Sequence, residues 1–139
     1  MDYYSSDFID PVSGKSSLDM AKEALHVCRS FVDSFGSKFQ NLLIYGNTGV
    51  GKTFLTHCIA RELMDHIHSV IYVTSSQLFD ILGSREFDTD PEKRQAGALL
   101  DECELLIIDD LGTELTNSFT VSQLFICLND RILQKKSTI

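Results

Sequence analysis

Gly46-Asn47-Thr48-Gly49-Val50-Gly51-Lys52-Thr53 has the form G-x-x-x-x-G-K-T, and the residues around it decide the fold. An apolar run, Leu42-Leu43-Ile44-Tyr45, leads into it, and a helix-like stretch from Phe54 to Met64 leads out. Strand, glycine-rich loop and helix is the order that a phosphate-binding loop requires. The glycines let the backbone curl so that several N–H groups converge on one anion, and the helix behind adds its positive end. Lys52 reaches β- and γ-phosphates, and the Thr53 hydroxyl ligates Mg²⁺. The pattern therefore predicts a nucleoside triphosphate, ATP, held by Gly46, Asn47, Thr48, Gly49, Val50, Gly51, Lys52, Thr53 and the following Phe54.

A simple strand-to-helix turn explains Gly46 and Gly51. It does not explain Lys52 at a helix start, where a cation opposes the helix dipole unless an anion compensates. Gly14-Lys15-Ser16 repeats the last three residues of the motif, but Ile9 stands where the first glycine belongs and no strand precedes it.

With 139 residues the chain holds one domain at most, and 43% apolar residues is enough for a core. No apolar run approaches the ~20 residues that cross a bilayer, and Met1-Asp2-Tyr3-Tyr4 lacks the character of a signal peptide. The expectation is a cytoplasmic protein with no membrane partner. Cys28, Cys58, Cys103 and Cys127 form no C-x-x-C pair, and all four read as core or near-core residues. His66-x-His68 reads as a polar helix end rather than a metal site. The net charge of −8 gives no chain-wide basic footprint, so DNA binding by this chain alone is expected to be weak.

Residues 1–16 read as an extended lead-in. Ser16-x-x-Asp19 approximates a capping box, and the periodicity of Leu18 to Phe35, closed by Gly36, predicts the first helix over 17–36. Strand 41–45, the glycine loop and a helix over 52–67 follow. Val70–Val73 reads as a strand, with Ser75 or Ser76 capping a short helix. Residues 83–91 read as a loop, 92–102 as a helix and Leu105–Ile108 as a strand. The last helix spans 118–135, with Val121, Leu124, Phe125, Leu128, Ile132 and Leu133 on one face. Alternating strands and helices predict an α/β fold, a three-layer α/β/α parallel sheet. Strands that are apolar without alternation suit a sheet covered on both faces.

Asp109 closes the last apolar strand, and ligands of open parallel sheets sit at the carboxyl ends of strands. A carboxylate there holds Mg²⁺ together with Thr53, directly or through water. Asp110, one residue on, stands where it orients or deprotonates an attacking water. Lys52 and Asp110 are thus the expected catalytic residues. The alternative is a strand end followed by a solvated acidic turn. A whole strand, 70–73, intervenes between the loop and Asp109. That spacing fits the additional-strand ATPases better than P-loop kinases, whose Mg²⁺ aspartate sits on the strand beside the loop strand.

Residues 41–55, then Val70-Ile-Tyr-Val-Thr-Ser75, then Leu105-Leu-Ile-Ile-Asp-Asp-Leu-Gly-Thr-Glu114, resemble the AAA+ ATPases of the DnaC/DnaI type. These are bacterial replicative helicase loaders, and the transposition helper ATPases of the IstB type are close relatives. Asp109-Asp110-Leu111-Gly112 is the most distinctive piece, and Asn129-x-Arg131 also fits. The resemblance covers roughly residues 3–139. It implies a P-loop NTPase fold of AAA+ type, with Gly46 to Thr53 as Walker A, Asp109 and Asp110 as Walker B, and Phe8 or Ile9 near the adenine. Glu114 matches without an assured role, and Arg131 is expected to be structural or a surface ion-pair residue. Ser137-Thr138-Ile139 corresponds to the start of a fourth strand, which belongs between the first and third. The resemblance thus implies a core that is incomplete at its C-terminal end, without the arginine finger, the fifth strand and the sensor residues, and with little or no N-terminal helicase-binding region. The implied partners are replicative DNA helicase, single-stranded DNA and further copies of the chain.

The reading is an ATP-binding and ATP-hydrolysing core of a DNA replication protein of the helicase-loader type. An IstB-type transposition helper is the near alternative. A small-molecule kinase, and a nucleotide-binding interaction module without turnover, are the alternatives of other classes.

Overall fold

The apolar run that ends in Asp109 forms a strand, β2 (Leu105–Asp109), in a computed structural model that describes residues 9–84, 90–112 and 117–139. Leu105, Leu106 and Ile107 are all fully buried, as expected of a strand covered on both faces. One edge of β2 pairs in parallel with β1 (Val70–Thr74), Val70 opposite Leu105 and Thr74 opposite Asp109. The other edge pairs in parallel with β3 (Ser137–Thr138), Leu105 opposite Ser137 and Leu106 opposite Thr138. Helices α2 (Lys52–Asp65), α3 (Ser75–Ser84), α4 (Pro91–Glu102) and α5 (Ser118–Leu133) intervene along the chain. The expected α/β class with a parallel sheet is therefore present.

The chain divides into two units, Met1–Ser37 and Lys38–Ile139. In the first, α1 (Ser17–Asp33) starts at Ser16, whose hydroxyl accepts from Asp19 N–H while the Asp19 carboxylate accepts from Ser16 N–H. That reciprocal pair is the expected capping box. Gly36 takes the expected positive φ, +85°, although the helix stops at Asp33. The decoy Gly14-Lys15-Ser16 is a tight turn, with Asp10 N–H bonded to Lys15 O and Gly14 at φ +69°. Phe8 lies outside the described residues, and Ile9 forms an antiparallel bridge to Ser16.

In the second unit, Val73 and Leu106 join Leu78, Leu82, Leu100, Cys103, Leu124 and Cys127 in one buried cluster beneath α3, α4 and α5. By alternation Tyr72 and Ile107 take the opposite face, the side on which α2 meets β1. Among the described residues no helix is long and apolar enough to cross a bilayer.

Several local expectations change. Residues 41–45, expected as a strand, do not form one. Leu42 N–H bonds Thr138 O at 3.1 Å, which sets this segment beside β3. The Thr138 N–H then goes to Asn41 Oδ1 at 2.8 Å. A side chain has taken the donor that a second ladder bond would use. The segment 137–139 thus lies between β2 and 41–45, as the resemblance implies. The cap of α3 is Thr74, not Ser75 or Ser76. Its hydroxyl accepts from Gln77 N–H, and Gln77 Oε1 accepts from Thr74 N–H. The expected loop 83–91 is shortened from both sides, since α3 runs to Ser84 and α4 starts at Pro91 behind the Asp90 cap; residues 85–89 lie outside the description.

The buried face of α5 is Leu124, Cys127 and Arg131. Of the expected stripe, Leu124 is buried, but Val121, Phe125, Ile132 and Leu133 are exposed. Apolar spacing alone defines that stripe, whereas a buried cation, Arg131, belongs to the packed face. Arg131 is structural, as expected, but it is not a surface ion-pair residue. It is 2% exposed and donates to Leu100 O, Ser137 O, Thr138 Oγ1 and Cys103 Sγ. Among the described residues no carboxylate pairs with it, so carbonyl dipoles satisfy the guanidinium fork. Burial pushes the Cys103 thiol pKa up, partly offset by this guanidinium. Cys28, Cys103 and Cys127 are buried as expected, whereas Cys58 is exposed on the outer side of α2.

Candidate nucleotide site

The glycine motif is the turn between segment 41–45 and α2. Gly46, Gly49 and Gly51 all have positive φ, +151°, +82° and +93°. A Cβ on Gly46 would stand 3.1 Å from Val50 Cγ2, so the loop can close this tightly only with glycine there. Gly51 is the residue before α2 and gives the helix no side-chain cap. The N–H groups of the first turn therefore open toward the loop. Lys52 Nζ folds across the loop and donates to Gly46 O and Asn47 O, each at 2.7 Å. Its ammonium is held at the mouth of the turn.

Thr53 points from α2 to the end of β2. Its hydroxyl lies 3.1 Å from Asp109 Oδ2 and 3.4 Å from Oδ1. This contact joins the two motifs across 56 residues. The Asp109 carboxylate also accepts the Tyr72 O–H at Oδ2 and the Asp110 N–H, 2.8 Å, at Oδ1. These donors, the Tyr72 phenol first, hold the Asp109 carboxyl below its ordinary pKa against the opposing effect of burial. Burial, and then the same contact, push the Tyr72 phenol up, so the shared proton stays on the phenol.

Asp110 has φ +59°, a conformation that aspartate adopts more readily than most side chains. Its carbonyl accepts the hydroxyl of Ser75, which is 1% exposed, at 2.9 Å. Its own side chain is exposed. Ser75, Thr56 and Tyr72 were not singled out from sequence as site residues. Tyr72 had a signal: a phenol in an apolar strand needs a partner for its O–H. The signal for Ser75 was its place directly after β1. Glu114 lies outside the described residues. Phe54 is 71% exposed on the first turn of α2.

Loop, Thr53, Asp109 and Asp110 line a single open cleft of about 1140 Å³. Leu42, Ile44, Ile108, Leu124 and Leu128 add an apolar lining. Among the described lining residues Lys52 is the one cation. His66 caps α2, with Nδ1 2.8 Å from Glu62 O, at the polar helix end expected of it, and His68 Nδ1 lies 3.1 Å from Glu104 Oε1.

The chain matches known proteins along most of its length. It is 32% identical over 107 residues to the chromosomal replication initiator protein DnaA of Campylobacter fetus, covering 75% of this chain and 23% of that protein. It is 24% identical over 96 residues to the replicative helicase loader DnaC of Escherichia coli K12, covering 69% of this chain and 39% of that protein. The chain thus spans well under half the length of these relatives. Its fold matches that of a replication initiator DnaA bound to AMPPCP and single-stranded DNA, with a TM-score of 0.71, 21% identity, 96% of this chain and 42% of that one. The family described as IstB-like ATP binding protein matches residues 16–139, and the chain belongs to that ATP-binding family, within the DnaC/IstB-like group of AAA+ proteins.

Proposed function

We propose that this chain is the ATP-binding and ATP-hydrolysing core of a DNA replication protein of the helicase-loader type, acting in the cytoplasm. The observation that carries the reading is the 3.1 Å contact between Thr53 Oγ1 and Asp109 Oδ2. It brings a glycine-rich anion cradle and a strand-end carboxylate into one cleft, and a Mg²⁺–triphosphate needs both.

The residues fit that ligand. Gly46 to Thr53 present backbone N–H groups to the phosphates, and Phe54 follows on the same turn. Lys52 exchanges the carbonyls of Gly46 and Asn47 for phosphate oxygens, which carry full charge and make the stronger bond. Thr53 and Asp109 hold Mg²⁺, which supplies charge neutralisation on the phosphate oxygens. Asp110 orients the attacking water and accepts its proton, with its backbone fixed by Ser75 and Asp109. Lys52 is the one cation among the described lining residues. Turnover by this chain alone is therefore slow, since a second cation at the transferring phosphoryl group is worth about 10³–10⁵ in rate. A replicative helicase, further copies of the chain and single-stranded DNA are the proposed partners, the last weakly for so acidic a chain. The DnaC similarity supports the helicase, and the DnaA fold match supports the nucleic acid.

The match to the IstB-like family favours one second reading, in which the same ATPase core serves a transposase. The two differ in the client that Mg·ATP recruits. Calorimetry of Mg·ATP binding, with Lys52→Ala alongside, tests the core of the proposal. Saturable binding weakened in the variant is the expected result. A folded chain that binds no ATP would sink it, and binding with no trace of hydrolysis in any assembly would leave an interaction module instead.

A further inference from the structure

Tyr72 joins the two halves of the cleft through an atom that neither motif supplies. Its register partner on β2 is Ile107, and Asp109 lies one pleat further along the same face. The phenol leans along the strand and donates to Asp109 Oδ2. On its other side the ring packs against His57 of α2, centroids 4.6 Å apart and planes 56° apart. The phenol oxygen also stands 3.3 Å from Thr56 Oγ1, while Thr56 gives its own proton to Thr53 O, 2.9 Å away. Proton counting fixes the directions. Tyr72 has one O–H, and a carboxylate outcompetes a neutral hydroxyl for it. The Thr56 hydroxyl is then left for the carbonyl of Thr53, the residue that also touches Asp109.

From this geometry we infer that Tyr72 is a positioning residue for the divalent cation of the Thr53–Asp109 pair. The inference rests on the nucleotide reading given above. The Asp109 carboxylate has a rotatable Cα–Cβ bond and sits half-buried at a strand end. The Asp110 N–H fixes Oδ1, and the phenol fixes Oδ2. With both anchored, the carboxylate is held in one orientation beside the Thr53 hydroxyl. Without the phenol, Oδ2 keeps only the Thr53 hydroxyl, which must also turn its lone pair to the metal. Partners of this kind, one shell outside a metal, commonly control its affinity by about 10–100-fold.

Tyr72→Phe removes only the oxygen and keeps the ring against His57. ATP affinity is measured by calorimetry in EDTA and across a Mg²⁺ series, for the unaltered chain, Tyr72→Phe, Asp109→Asn and the double variant. The expected result is a Mg²⁺ midpoint about tenfold higher in Tyr72→Phe, with the metal-free ATP affinity unchanged. In the Asp109→Asn background the same substitution should shift the midpoint less than twofold, because the group being positioned is gone. A merely structural role would instead lower metal-free affinity, or shift the midpoint equally in both backgrounds, and either result overturns the inference. So does an unchanged midpoint in Tyr72→Phe while Asp109→Asn raises it, an outcome that leaves the nucleotide reading standing. No ATP binding by the unaltered chain overturns both. If Tyr72→Phe does not fold, Tyr72→Met fills the space without an O–H and is judged by the same outcomes.

Discussion

β2 and segment 41–45 both deliver residues to one cleft, but they are built differently. β2 is paired along both edges and buries Leu105, Leu106 and Ile107 completely. Segment 41–45 makes one backbone bond to β3 and leaves Leu43 81% and Tyr45 86% exposed. The carboxylate arm of the site is positioned by packing from behind. The phosphate arm is positioned by its own backbone, through the glycines and the Lys52 bonds to Gly46 O and Asn47 O. A site made this way has a rigid half that orients a cation and an adaptable half that closes around an anion.

The comparison breaks most sharply at Leu106. Leu106→Ala should cost about 2–5 kcal/mol of stability, the usual range for a fully buried leucine, read as a shift in the urea midpoint at unchanged slope. Gly46→Ala comes next. The new Cβ meets Val50 in a backbone conformation that disfavours side chains. It should cost about 1–3 kcal/mol and weaken ATP binding more than it lowers the thermal midpoint.

A smaller effect is expected at the start of β2, where Glu104 accepts Ser69 N–H at 2.8 Å and faces His68. The Ser69 backbone bond, then the His68 contact, hold its carboxyl below the ordinary glutamate range against the effect of burial. A depressed folded-state value means stability that is present above the usual carboxylate pKa and lost as pH falls through the lower folded value. Glu104→Gln should therefore flatten the acid limb of a stability–pH profile by lowering stability slightly at neutral pH while leaving low pH little changed. The smallest effect should be Leu43→Thr, within about 0.5 kcal/mol as for other exposed positions. A large loss there would show that segment 41–45 is packed as β2 is, and the contrast between the two arms would fall.

The same contrast explains what was legible in the sequence. The alternation of elements, the capping box at Ser16 and Asp19, and the meeting of Thr53 with Asp109 are carried by short patterns whose geometry is local or set by the parallel sheet. Arg131 and Tyr72 were not legible in the same way. Burying the guanidinium takes acceptors from α4, from Cys103 just after it and from β3, and none of them is marked by its residue type. The Tyr72 phenol finds Asp109 only once β1 and β2 are in register. The stripe drawn on α5 failed for a related reason. Apolar periodicity marks a helix but not which of two apolar arcs is covered, and here Arg131 belonged to the covered one.

The placement of β3 has a consequence for how the molecule is made. Asn41 Oδ1 and Thr138 N–H meet across 97 positions of chain, and segment 137–139 bonds β2 on one side and Leu42 on the other. A chain emerging from the ribosome N-terminus first exposes the glycine loop early, then must hold it without its neighbouring strand until Thr138 appears. Closing so long a loop is what slows folding in sheets of this topology. The oldest part of the nascent site thus waits longest for its neighbouring segment, and Leu43 and Tyr45 remain exposed even after it arrives.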